Sequence, residues 1–178
     1  MLYRALRLAV FAVALSSLPA QADTLVEPRL HITPGGPQSP QVALTLDACS
    51  GAIDHRILDV LVARAIPATI FVTGRWLRRN PETVQLLLQH PDLFELEDHG
   101  LNHVPAVIGT QKPYGITPAG TAAAVAAEIE GGALSIGKAG GPAPRWYRGA
   151  TALYSQDALK LIHKLGYRTA GFSLNADL

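Results

Sequence analysis

From about residue 42 onward, short apolar runs alternate with amphipathic stretches. Val42, Ala43, Leu44, Thr45 and Leu46 form a nearly continuous apolar run, which predicts a strand buried on both faces and ending at Asp47. Ile57, Leu58, Leu61, Val62 and Ala65 then recur at helical spacing up to Pro67, and residues 68–72 make a second apolar strand closed by Gly74. Asn80 followed by Pro81 predicts a helix start, with Val84, Leu87 and Leu88 as its buried stripe. Residues 93–96 predict a third strand that runs into the polar Glu97, Asp98 and His99. Thr117 and Pro118 repeat the cap-then-proline signal before a stripe of Ala122, Val125, Ile129, Ala133 and Ile136, which Gly131 and Gly132 weaken. A short strand over residues 146–150, a helix capped by Ser155 and stopped by Gly166, and a last strand over residues 168–174 complete the pattern. Strands alternating with helices point to an α/β fold with a parallel sheet or β/α barrel, whose ligands collect at the strand carboxyl ends. Asp47, His99 and Arg148 all fall at or near such ends.

Composition narrows the picture. The chain has 178 residues, 48% of them hydrophobic and 16% charged, which suits one folded domain. The formal charge of +1 includes Arg4 and Arg7, near an N-terminus that lacks acids, so nothing implies a nucleic-acid partner. Residues 1–22 combine those arginines with an apolar run from Leu8 to Leu15, then Pro19 and the small residues Ala20 and Ala22, the pattern of an export signal cleaved after Ala22. Ser16, Ser17 and Pro19 interrupt the run short of the roughly 20 apolar residues a spanning helix needs, so no stable membrane anchor is expected. Residues 23–40, rich in Pro and Gly, predict an extended lead-in, and residues 41–178 the domain itself. A single cysteine, Cys49, cannot form an internal disulfide, so a periplasmic or secreted protein of this kind must rest on its core.

His99 and His103 are the first candidates for chemistry. Four residues apart, they would share one side of a helical turn, where two imidazole nitrogens can meet a metal. Standing alone, the same spacing describes two surface histidines beside a loop. Asp47 changes the balance, because a carboxylate at the end of a buried strand needs something to compensate its charge. Cys49 raises a rival, a thiol hydrolase activated by His99 or His103; a single cysteine is more often a small buried hydrophobe. Trp76, Trp146 and Tyr147 can stack on a sugar ring but are more often core residues.

In order, Leu44-Thr45-Leu46-Asp47, the run from Ala68 to Gly74, the acidic segment before His99 with His103 four later, Tyr147-Arg148, and Leu165-Gly166-Tyr167-Arg168 resemble the polysaccharide deacetylases, the NodB-homology carbohydrate esterases. The resemblance implies a NodB-type distorted (β/α) barrel and assigns roles position by position. Asp47 matches the general base, and Ala48 stands where a metal-binding aspartate usually is. His99 and His103 match the two metal-binding histidines, with Gly100 in place of the usual Ser or Thr. Arg148 matches the residue that orients the base, and the Thr151 amide would face the oxyanion, although both prolines and the aromatic of that motif are missing. The terminal Leu-x-His, which supplies a general acid, has no counterpart, so the barrel is expected to be incomplete at its C-terminus.

The implied chemistry is removal of acetyl groups from an acetylated polysaccharide or oligosaccharide. A divalent ion, with zinc the leading candidate, lowers the pKa of bound water towards about 7 and polarises the acyl carbonyl. Three protein ligands are usual for catalytic zinc, so Asp98 or Asp47 is expected to complete the pair of histidines. The competing expectation is a catalytically inactive carbohydrate-binding relative or a truncated fragment.

Overall fold

The computed structural model describes residues 24–32 and 42–175; the expected export signal lies outside them. Among the described residues five parallel strands lie in sequence order: β1 (Thr45–Ala48), β2 (Ala68–Val72), β3 (Phe94–Asp98), β4 (Trp146–Tyr147) and β5 (Arg168–Thr169). Helices α1 (His55–Ala63), α2 (Gly74–Arg79), α3 (Pro81–Gln89), α4 (Ala122–Lys138) and α5 (Gln156–Lys164) connect them. No described helix is long and apolar enough to cross a membrane.

Strand alternation divides each strand between two environments. Leu46, Ala48, Ile70, Val72 and Leu96 point outward and pack with Leu58, Leu61, Trp76, Leu77, Val84 and Leu87 from the helices. A second cluster joins Val125 and Ile129 of α4 to Tyr147, Ala158 and Ile162. The intervening positions, Thr45 and Asp47 on β1, Thr69 and Phe71 on β2, Glu95 and Glu97 on β3, share the opposite, inner face, paired Thr45 to Thr69 to Glu95 and Asp47 to Phe71 to Glu97. The inner face is thus as polar as the outer one is apolar, and all candidate chemistry must come from it.

Several boundaries differ from the sequence expectation for local reasons. Gly74 does not merely close β2; it opens α2, whose cap is Thr73, its hydroxyl accepting from the Trp76 amide. Asn80 makes no side-chain cap for α3; its amide group donates instead to the carbonyls of Trp76 and Gly51, fastening the loop after β1. α4 is capped by Thr121, four residues beyond Thr117, and runs through Gly131 and Gly132 without a break. Gly132 is needed there: a Cβ would stand 2.0 Å from Asp98 Oδ1. The last strand is only two residues long, and its successors Ala170 and Gly171 serve another purpose described below.

Part of the expected lead-in belongs to the fold. Val26 pairs antiparallel with Tyr154 through two backbone hydrogen bonds of 2.8 and 2.9 Å, and the Pro28 carbonyl lies where a Cβ on Gly171 would be, at 1.9 Å.

Candidate functional site

The residues after β1 and β3 converge on the inner face at the strand carboxyl ends. His99 follows β3 directly and is 2% exposed. Its backbone amide donates to the Val72 carbonyl, and its ring Nδ1 lies against the Arg148 carbonyl oxygen. A carbonyl only accepts, so Nδ1 carries the proton and Nε2 presents its lone pair to the mouth of the sheet. Toward that lone pair stands the Cys49 sulfur, 3.5 Å away.

His103 reaches the same place by a loop rather than by the expected helical turn. The two rings meet edge to face, with centroids 4.8 Å apart. His103 has φ 64° and Gly100 φ 88°, both in the left-handed region, and that double reversal brings the rings together. Glu128 of α4 holds it in shape: its Oε1 accepts from the amides of Asn102 (2.7 Å) and Val104 (3.0 Å), on either side of His103. A Cβ at position 100 would fall 2.7 Å from the same oxygen, so the glycine there matches the acid that clamps the loop. Burial pushes both imidazoles below the usual histidine range; the negative charge of Asp47 works against that shift without reversing it. Both rings are therefore neutral near pH 7, the form in which they bind metals.

Arg148 organises the other half. Its guanidinium is 4% exposed and donates to Asp47 Oδ1 (2.8 Å), Thr45 Oγ1 (3.0 Å), and the Ala170 and Gly171 carbonyls (3.4 and 3.2 Å). It also lies 4.2 Å above the Phe71 ring. Thr45 and Asp47 belong to one outer strand and Ala170 and Gly171 follow the other, so a single side chain touches both margins of the sheet, which must roll to allow it. One residue thereby sets the carboxylate with its side chain and the His99 tautomer with its carbonyl.

Asp98, expected as a possible third metal ligand, faces the wrong way. One position from His99 on the same strand, it points to the outer face, where it is fully buried against Gly132; its Oδ1 accepts from the Gly100 amide and Oδ2 has no hydrogen-bond partner. Burial, with the charges of Glu128 and Glu97 adding to it, drives its carboxyl well above the ordinary range against the opposing Gly100 bond. Among the described residues the donors that do converge are Cys49, His99 and His103, whose ligating atoms all lie within 4.8 Å of one another. Thr151 sits in a short 3-10 turn, Ala150–Ala152, with φ 70°, its hydroxyl buried and unbonded. Trp76 and Tyr147 are buried core residues, while the Trp146 ring is covered by Arg168.

Sequence reasoning passed over Cys49 as a ligand, Glu128 and Thr73. Alternation would have pointed to the first, since 47 and 49 share a face. A buried acid within the apolar stripe of α4 was the signal for the second. The Thr73 hydroxyl donates to the Cys49 carbonyl, a contact across 24 residues with no local signature.

The donor set suits a divalent transition metal, because two neutral imidazoles and a thiol converge with the His99 lone pair already aimed. Residues 35–170 match the family model described as polysaccharide deacetylase. No curated protein sequence matches the chain. Solved structures do: PdaA of Bacillus subtilis, a family 4 carbohydrate esterase, is 25% identical with a TM-score of 0.55 over 71% of this chain and 50% of that one. A family 4 carbohydrate esterase from Bacillus anthracis is 24% identical with a TM-score of 0.54, over 71% of this chain and 56% of that one. A CE4 family pseudoenzyme from the same organism is 17% identical with a TM-score of 0.54, over 74% and 43%. The chain thus spans about half the length of these structures, and its parallel sheet with outer helices is the NodB-type distorted (β/α) barrel arrangement. With more than half of its length matched in order by the family model, the chain belongs to the polysaccharide deacetylase family.

Proposed function

We propose that the protein removes acetyl groups from an acetylated polysaccharide or oligosaccharide by metal-dependent hydrolysis. The observation that carries this reading is the 2.8 Å pairing of Asp47 with a buried Arg148 on the same inner face as the two imidazoles. Arg148 holds Asp47 through Oδ1, which leaves Oδ2 to accept a proton from water. His99 and His103 would hold the ion, which when bound supplies an acidified water and a polarised acyl oxygen. His99 is fixed in the tautomer that offers Nε2, and Glu128 fixes the loop that carries His103. The Thr151 amide would face the developing oxyanion. Residues 1–22 support export to the periplasm or beyond.

Acetate release from acetylated chitooligosaccharide, xylan or peptidoglycan tests the reading. It should be abolished by a chelator, restored by zinc, and reduced about 10²–10⁴-fold in Asp47→Asn with metal content unchanged. Release that survives both chelation and Asp47→Asn would refute it.

A second reading, an inactive carbohydrate-binding relative, is favoured by the distribution of imidazoles. His31, His55 and His163 are exposed and His90 follows α3, so no third histidine is placed among the described residues to protonate a leaving group. Binding of the same oligosaccharides without acetate release would establish it.

A further inference from the structure

We propose that Cys49 is the third protein ligand of the metal, as a thiolate, so that the site is a Cys-His-His centre; this rests on the metal-dependent reading above. Three observations lead there. The Cys49 sulfur lies 3.5 Å from His99 Nε2. In a tetrahedral site with metal–sulfur and metal–nitrogen bonds near 2.3 and 2.0–2.1 Å, the sulfur-to-nitrogen edge is about 3.5 Å. The pair therefore already stands at the separation of two ligands on one ion.

The second observation is support around the sulfur. The Cys49 carbonyl accepts from Thr73 Oγ1, Thr73 being fully buried, and the Gly51 carbonyl accepts from Asn80 Nδ2 (3.2 Å), so the loop bearing the thiol is tied at two points. Ligands on a loop held in this way bind with a smaller ordering cost. The third is the lack of a competitor among the described residues. Asp98 faces the outer layer, and one oxygen of Asp47 is taken by Arg148, so Cys49 is the donor that joins the imidazoles within 4.8 Å.

A Cys-His-His set also carries a preference. A thiolate selects softer ions such as zinc over magnesium or manganese, which carboxylate sites accept. As the sulfur–metal bond forms, the thiol proton leaves to solvent, and the thiolate balances one of the two metal charges.

The test uses the full chain stripped by chelation and refilled with zinc or cobalt(II). The cobalt form should bind one ion per chain and show an intense near-ultraviolet thiolate-to-cobalt absorption, and zinc should protect Cys49 from iodoacetamide. Cys49→Ala should lose the absorption and bind zinc at least about 100-fold more weakly, since even outer partners of ligands are worth 10–100-fold. Cys49→Asp should regain binding without the absorption, which separates loss of a ligand from loss of the fold. A cobalt protein that binds through His99 and His103 but lacks the absorption, or Cys49→Ala with native zinc affinity, would overturn the proposal and leave the deacetylase reading standing. Should the metal-free protein release acetate and lose that activity on alkylation, the metal-dependent reading falls and the proposal with it, in favour of a thiol nucleophile.

Discussion

Arg148 and Asp98 show how much one residue's position on a strand decides. Arg148→Lys would keep the carbonyl that fixes His99 but could not reach Asp47, Thr45, Ala170 and Gly171 together. Metal content should persist while kcat falls about 100-fold, a loss of the size that misplacing a reacting group costs; metal analysis alongside acetate kinetics checks it. Asp98 sits within the folded core with its carboxyl raised well above its ordinary, unfolded value by burial. A group raised in the folded state contributes stability that is complete below that value and disappears as pH climbs through the folded one. Asp98→Asn keeps the Gly100 bond and cannot ionise, so its stability relative to wild type should increase from pH 4 to pH 8 in denaturant titrations, with zinc affinity unaltered. Asp47, His99, His103 and Arg148 were legible because each lies in a recognisable ordered motif. Asp98 was expected as a ligand because it adjoins His99 in sequence, whereas alternation sends 98 and 99 to opposite faces; the approach of Cys49 to His99 had no such local signal, since it is the β1-β2-β3 order that brings 49 across to 99.

At the scale of elements, α4 does more than cover the sheet. Its Glu128 clamps the His103 loop and its Gly132 admits Asp98, so the helix carries two fitted positions on the face that meets β3. Gly→Ala inside a helix ordinarily gains up to about 1 kcal/mol. Here Gly132→Ala should instead cost about 1–3 kcal/mol through overpacking, measured as a lower urea midpoint. The apolar periodicity that located α4 also made its glycines look like weak points, because propensity is a local quantity and the close approach of Asp98 is not. Strand β2 was read to the residue, its outer face being continuous apolar surface; β5 was read too long, since Ala170 and Gly171 give their carbonyls to Arg148 rather than to a neighbouring strand.

Across the whole molecule, both ends of the described chain meet beside the site. The segment holding Val26 and Pro28 lies against Tyr154 and Gly171, although composition alone marked it only as a lead-in. Gly171→Val should displace it and break the two Val26–Tyr154 bonds, each worth about 1 kcal/mol. Trypsin should then cut after the exposed Arg29 several times faster, while the far-ultraviolet circular dichroism of the helices stays the same. The buried guanidinium that touches both margins of the sheet has a larger consequence. To widen the aperture between β1 and the segment after β5, the protein would have to strip a cation of its carbonyl acceptors on one flank or its carboxylate on the other. How far that gap opens and where the Asp47 carboxylate is held are therefore one variable, latched by a single side chain.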